Sequence, residues 1–145
     1  MSEIRTQIEI EATAERVWQV LTDFAAYPQW NSVIRPERGE ARPGERLQFH
    51  LRLWGTLGLS LRATIRKADP GRELCWKGRL APGLFGGEHS FSIEPIGQSR
   101  VRVVQREVYT GILVPIYMRI MSAWVRRVFE GMNRELKFRA EHVSG

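Results

Sequence analysis

The chain is short of cysteine and histidine, and it has no long apolar run. Cys75 is the only cysteine, so an internal disulfide is excluded, and we expect a reducing, cytoplasmic location. The longest uncharged apolar run, residues 111–118, is far shorter than the roughly 20 residues of a membrane span, which excludes an integral membrane protein. His50, His89 and His142 share no ligand spacing, so we expect no metal, and nothing indicates a cofactor.

Lysine is also scarce, although the chain is basic. It holds 22 Lys and Arg against 16 Asp and Glu, a net charge of +6, and only three of the bases are lysines. The arginines are spread along the chain without interleaved aromatics, which does not favour a nucleic-acid partner. With 145 residues, 43% of them hydrophobic and 26% charged, the sequence predicts one soluble globular domain spanning residues 1–145. The first residues lack the apolar core of a secretory signal.

Two changes of hydrophobic period divide the chain. Residues 3–12 alternate as a half-buried strand, Thr13 suits the cap of a following helix, and Pro28 breaks that helix into two short ones. From Val33 the alternation returns in hairpin-linked segments, each with one polar face. Residues 114–142 then show apolar positions at helical spacing, which predicts one long amphipathic helix.

This order predicts an α+β protein. About six to seven strands form a curved antiparallel sheet wrapped around the long C-terminal helix, with two short helices after the first strand. A helix is only about 10 Å across, so a sheet curled around it leaves an internal space unless large side chains fill it. We expect this cavity to exceed about 300 Å³, the lower end of ligand pockets. We place it between the long helix and residues 26–31.

Polar residues stand on the inner face of two neighbouring strands, where a core is expected. Strict alternation points His89 inward on the strand that follows Gly86 and Gly87, and it points Gln105 and Glu107 inward on the next strand. A buried carboxylate needs partners, water or a ligand. The three side chains therefore form either a self-satisfied pair or network, or the polar end of an otherwise apolar cavity. The glycines of GLFGG, which are Gly83, Gly86 and Gly87, are interpreted as a bulge or turn beside the cavity mouth.

The predicted ligand-binding set combines these polar groups with apolar residues facing the same interior. It comprises Trp30, Phe49, Leu51, Leu61, Trp76, His89, Phe91, Gln105, Glu107, Tyr109, Met118, Met121 and Phe129. For each apolar member the alternative is an ordinary core position. His89 and Glu107 are the candidates for acid/base catalysis.

Six stretches along nearly the whole chain carry a family resemblance. They are ATAERVWQVLTDFAAYPQWN, PGERL, RELCWKGRL, GLFGGEHSF, VVQREVYTG and FEGMNRELKFRAE. In this order they resemble the helix-grip fold of the START-like, Bet v 1-like superfamily, and more closely its bacterial polyketide cyclase/dehydrase and lipid transport group (SRPBCC). That superfamily includes aromatase/cyclases, lipid carriers, hormone receptors and coenzyme Q-binding proteins, so the resemblance implies the fold and leaves the function open.

Three functions follow as hypotheses. The leading one is binding or transport of a hydrophobic or aromatic small molecule, lipid or polyketide-like, without catalysis. The second is a cyclase or dehydratase in which His89 and Glu107 move protons. The third is an interaction module using the basic outer face of the sheet, where Arg52, Arg62 and Arg66 point outward, with a homodimer left open as a partner.

Overall fold

Seven strands, two α-helices and one 3-10 helix make up the described part of the chain. The structure is a computed structural model that describes residues 2–54 and 57–142, with the backbone alone at 53, 54, 57, 80 and 81. The elements are β1 (Ser2–Ile10), α1 (Ala14–Thr22), the 3-10 helix (Phe24–Gln29), β2 (Ile34–Arg38), β3 (Arg46–Trp54), β4 (Leu57–Asp69), β5 (Glu73–Ala81), β6 (Phe85–Gly97), β7 (Arg100–Thr110) and α2 (Val114–His142).

The strands form one antiparallel sheet in the order β1-β7-β6-β5-β4-β3-β2. Strands β2 to β7 follow one another as neighbours, and β1 closes the far edge by pairing with β7. Helix α2 packs mainly against β1, with further contacts to β7 and α1. The predicted α+β architecture, a sheet of about six to seven strands around a long C-terminal helix, is confirmed with seven strands.

The short helices after β1 also follow the prediction. The Thr13 hydroxyl accepts a hydrogen bond from the backbone N–H of Arg16 at 3.1 Å and so caps α1. Val17 and Leu21 of α1 are fully buried against the sheet. Pro28 stands inside the 3-10 helix, which is separated from the end of α1 by Asp23 alone. The proline disfavours α geometry at Tyr27, within this second helix.

Polar side chains join the C-terminal half of α2 to β1 and to the residue that follows β1. The amide of Asn133 donates to the Thr6 hydroxyl at 2.9 Å. The Glu141 carboxylate accepts from the backbone N–H of Glu11 at 2.7 Å.

No helix within the described residues is long and apolar enough to cross a bilayer.

Candidate functional site

A cavity of about 270 Å³ lies between α2 and the inner face of β3 to β7. Helix α2 packs mainly against β1, and β6 meets it through His89 against Phe129 and Phe85 against Tyr117, so the space is left between the helix and strands β3 to β5. Its apolar wall is formed by Val33, Ile34, Phe49, Leu51, Leu59, Leu61, Trp76, Phe85, Met121, Trp124, Val125, Val128, Phe129 and Met132.

Nine of the thirteen predicted ligand-binding residues line this cavity. They are Phe49, Leu51, Leu61, Trp76, His89, Glu107, Tyr109, Met121 and Phe129. Their place in the wall is a geometric fact, whereas their part in ligand binding stays a prediction.

The other four predicted residues do not line the cavity. Phe91 and Gln105 are buried behind its wall, Gln105 because its amide bonds to α2. Met118 is half-buried on α2, one position around the helix from the lining residue Tyr117. Trp30 lies outside because Tyr27 takes the inward position of the 3-10 helix, where it is 1% exposed.

The position of the enclosed cavity is a correction to the sequence prediction. The Tyr27 hydroxyl donates to the carbonyl of Leu21 at 2.6 Å, and burial raises its pKa above the usual range. With the Tyr27 ring in the core, Trp30 packs on it at 4.7 Å and faces an open surface groove that Phe138 of α2 also lines. The space between α2 and residues 26–31 is therefore a surface groove. The enclosed cavity lies beyond it and falls just below the expected size.

His89 is held in a cage of aromatic rings on the inner face of β6. It is 5% exposed. The imidazole stacks on Trp76 with ring centroids 5.2 Å apart and planes within 9°, and the rings of Phe91 and Phe129 approach at 5.0 and 5.1 Å. This packing fixes the direction of both ring nitrogens, as a preorganised site requires.

The hydrogen bonds around His89 determine which of its nitrogens carries a proton. The Gln105 amide nitrogen donates to the Phe129 carbonyl at 3.1 Å and to Asn133 Oδ1 at 2.7 Å. A backbone carbonyl only accepts, so the orientation of the Gln105 amide is fixed, and its oxygen must face His89. Because that oxygen lies 3.0 Å from His89 Nε2, Nε2 carries a proton and donates it.

The other ring nitrogen then shares a proton with a carboxylate. His89 Nδ1 lies 3.2 Å from Glu107 Oε2. Two bare acceptors at this distance would repel each other, so one proton sits between them, on either nitrogen or oxygen. Both residues line the cavity, and Glu107 is the more accessible of the two, because its side chain is 22% exposed against 7% for that of His89.

Gly87 makes room for this carboxylate. A Cβ at Gly87 would lie 2.6 Å from Glu107 Oε1, closer than Cβ atoms in proteins approach other atoms, so the carboxylate would have to move. Gly86 and Gly87 stand in regular β6 and pair with both neighbouring strands. The predicted turn is confirmed at Gly83, whose φ is 75° in the turn before β6, whereas Gly86 and Gly87 belong to the strand.

Two tyrosines extend the polar end of the cavity. The Tyr109 hydroxyl is in hydrogen-bond contact with Glu107 and Tyr117, and both tyrosines line the cavity. Burial, reinforced by the charge of Glu107, raises the pKa of Tyr109 above its usual range, and burial raises the pKa of Tyr117. Both phenols therefore stay neutral and keep a proton to donate.

Several lining residues were absent from the predicted set. They are Phe85, Tyr117, Trp124, Val125, Val128 and Met132, together with Leu59 and the two β2-side residues Val33 and Ile34. Tyr117, Met121, Trp124 and Val128 follow one stripe of α2 at three- and four-residue spacing, so the helical period already carried the signal. The helical period did not predict which residues of the stripe face the cavity and which face β1.

Other candidate chemistries find no support in the described residues. Cys75 lies on the outer face as expected, yet it is 4% exposed, and its thiol donates to Glu88 at 3.3 Å. Burial and then Glu88 raise the pKa of Cys75 to about 12, so it is not an activated nucleophile. Across residues 2–54 and 57–142 no three His, Cys, Asp or Glu side chains are grouped to hold a metal ion.

The outer face of the sheet carries its positive charge unevenly. Arg100, Arg102 and Arg106, toward β7, pair with glutamates at 2.8 to 3.8 Å. A second set of cations lines a groove over β2 to β5 and makes no ion pair within the described part of the chain. Its members are Arg38, Arg46, Arg62, Arg66, Lys77 and Arg79.

Fold and cavity together define a helix-grip protein with a largely apolar cavity between sheet and helix. The model of the family described as polyketide cyclase / dehydrase and lipid transport matches residues 1–141, and the chain belongs to this family. No curated protein sequence matches the chain.

Solved structures share the fold at low sequence identity. The aromatase/cyclase Zhui from Streptomyces sp. R1128 superposes with a TM-score of 0.77 at 15% identity, over 96% of this chain and 93% of that one. TTHA0849 from Thermus thermophilus superposes with a TM-score of 0.73 at 18% sequence identity, over 96% of this chain and 97% of that one. Norcoclaurine synthase from Thalictrum flavum superposes with a TM-score of 0.70 at 12% sequence identity, over 96% of this chain and 93% of that one. At such identities the likenesses establish the fold.

Proposed function

We propose that the chain binds a small aromatic or apolar molecule that carries one polar group, such as a carbonyl or hydroxyl. The observation that carries the proposal is the polarity of the cavity. Most of its wall is apolar, as at Phe49 and Phe129. Apart from arginines at the rim, the polar side chains that line it within the described residues are gathered where Glu107, Tyr109 and Tyr117 meet. Small-molecule sites combine an apolar wall with a few convergent polar groups in this way.

The size of the cavity sets the size of the ligand. A volume of about 270 Å³ suits one or two fused rings better than a two-chain lipid. Glu107 and the neutral Tyr109 hydroxyl offer an acceptor and a donor to the ligand's polar group. The family name and the aromatase/cyclase title of a structural neighbour agree with an aromatic ligand of this kind.

Binding of 2-naphthol and of naphthalene tests the proposal. Both should quench the fluorescence of Trp76, which lines the cavity, and 2-naphthol should bind more tightly because its hydroxyl meets Glu107. Glu107→Gln and His89→Phe should lower the affinity for 2-naphthol by roughly tenfold or more and leave the affinity for naphthalene nearly unchanged. Equal affinities of the two probes in the wild type and in both variants would contradict the proposal that Glu107 and its neighbours bind the polar group of the ligand.

Glu88→Gln is the matched control. Glu88 is the neighbouring carboxylate of β6 on the opposite face, where it accepts from Cys75. Its neutralisation changes the charge of the protein as Glu107→Gln does, so 2-naphthol affinity should stay the same. Melting temperatures of all variants show whether a loss of binding is a loss of folded protein.

Acid/base catalysis is the second candidate, and the shared proton between His89 and Glu107 favours it. A β-hydroxy ketone loses water when a base takes its α proton and an acid gives a proton to the departing hydroxyl. The pair holds one proton to give, and the carboxylate of Glu107 has a further lone pair to accept another, so the proton balance closes without a cofactor. Appearance of enone absorbance from an aromatic β-hydroxy ketone, abolished by Glu107→Gln and kept by Glu88→Gln, would establish this candidate over plain binding.

A further inference from the structure

The N-terminal end of α2 bears a patch of exposed apolar side chains that the cavity does not use. We name it the isoleucine patch, and it consists of Leu84, Ile112, Leu113, Ile116 and Ile120. Ile112, Ile116 and Ile120 are 73%, 63% and 71% exposed. Single exposed apolar residues are common, but a contiguous group of this kind marks an interaction surface.

Backbone hydrogen bonds hold the patch together. The N–H of Ile112 donates to the carbonyl of Gly83 at 3.3 Å, and the N–H of Leu113 donates to the carbonyl of Leu84 at 3.0 Å. The turn before β6 is thereby joined to the loop before α2. On α2 itself, Ile116 and Ile120 are four residues apart and share one face. The patch is therefore a fixed part of the surface.

Exposed arginines flank the patch on α2. Residues 108–129 contain Arg119, Arg126 and Arg127 and no Asp or Glu, and the carboxylates that border this segment are Glu3 and Glu88, on the strands beside Val108, and Glu130 on α2. Arg119 and Arg127 are both exposed on α2. Arg127 falls on the helical face of Ile116 and Ile120, and Arg119 lies beside it. The apolar side chains of α2 are thus flanked by exposed cations.

We propose that the isoleucine patch docks on an anionic lipid surface. Isoleucine side chains enter the boundary between headgroups and acyl chains, while flanking arginines pair with lipid phosphates. A second copy of the chain fits the patch less well, because a two-fold contact on this face would bring Arg119 and Arg127 of the two copies toward each other.

Docking there would bring the cavity to the membrane. Tyr117 and Met121, which line the cavity, belong to the same turns of α2 as Ile116 and Ile120. An apolar molecule dissolved in the bilayer would then reach the cavity over a short path. The inference goes beyond the proposed function and does not depend on it, since the patch is outside the cavity.

Sedimentation with lipid vesicles tests the inference. At low ionic strength the protein should bind vesicles of equal parts phosphatidylglycerol and phosphatidylcholine, and bind pure phosphatidylcholine vesicles much less. The double variant Ile116→Asp/Ile120→Asp should lose at least about tenfold in affinity. Arg119→Gln should lose about fivefold, the effect of one cation near an anionic surface. Both isoleucines are exposed and near a helix N-terminus, where carboxylates are tolerated, so the fold should persist.

Phe138→Asp is the matched control. Phe138 is 63% exposed, as is Ile116, and it lies on the same helix about 33 Å away. This variant should bind the anionic vesicles as the wild type does. Absence of binding to anionic vesicles would overturn the inference. So would equal binding by the wild type and the double variant, because the charge of the outer sheet would then account for it. A wild-type dimer that the double variant converts to a monomer in light scattering would assign the patch to a second copy instead.

Discussion

Substitution of Gln105 by methionine measures how much the buried polar network contributes to stability. Gln105 is fully buried, and its amide joins His89 on β6 to Phe129 and Asn133 on α2. Methionine has nearly the same length and flexibility but neither donates nor accepts strongly. The substitution removes the partner of His89 Nε2–H and the donor to Asn133 Oδ1 without opening a large void.

The expected loss follows from those two groups. Each buried polar group left without a partner costs about 1–3 kcal/mol, and the added apolar surface returns roughly 1 kcal/mol. We therefore expect the free energy of unfolding to fall by about 2–4 kcal/mol. For a chain of 145 residues, with an unfolding entropy of about 0.3 kcal/mol/K, the melting temperature should fall by roughly 10 °C.

Urea unfolding followed by tryptophan fluorescence is the assay, and Gln7→Met is its control. Gln7 is exposed on β1, the strand beside β7, so the same substitution there should change stability by no more than about 0.5 kcal/mol. A loss below about 1 kcal/mol for Gln105→Met would refute the reasoning, since His89 and Asn133 would then have found other partners.

Two further predictions concern the ends of the molecule and its outer face. Burial alone would raise the pKa of Glu141, but the bonds from Lys137 and the Glu11 N–H outweigh it, so the pKa is lowered from 4.5. The stability from Glu141 is thus present above its ordinary pKa and lost as the pH falls through the lowered value. Glu141→Gln should cost about 1 kcal/mol at neutral pH and progressively less in acid, and a cost unchanged by pH in urea titrations would contradict this. Cys75, whose pKa burial raises to about 12, should react with iodoacetamide at pH 8 at least about a hundredfold more slowly in the folded protein than in urea. Mass spectrometry measures both rates, and similar rates would show that the thiol is not shielded.

The alternation of the strands allowed the inner face to be predicted. In β7 a period of two places Val101, Val103, Gln105 and Tyr109 inward, and all four are buried. The reason is that an antiparallel strand with one wet face has no other register that keeps its apolar residues covered. The sequence therefore also brought His89 and Glu107 to one side of the sheet, and the structure joins them at 3.2 Å.

The parts that were not predictable depend on contacts between residues distant in the chain. Trp30 and Tyr27 are both aromatic members of one short helix, and which of them turns inward is decided by the bond from Tyr27 to the Leu21 carbonyl. Gln105 bonds to residues 24 and 28 positions later, on α2. Periodicity gives the face on which a side chain stands. It gives neither the partner the side chain meets nor the width of the space before it.

The placement of polar bonds along α2 has a consequence for how the cavity fills. The bonds of Asn133 to Thr6 and of Glu141 to the Glu11 N–H anchor the C-terminal half, whereas the first turns rest mainly on apolar contacts near the cavity and on the bond between Tyr117 and Tyr109. The free energy needed to lift the first turns away from the sheet is then smaller than the free energy of global unfolding. If the cavity binds a small molecule as proposed, local opening of these first turns gives that molecule a way in, while the anchored half of α2 and the sheet stay folded.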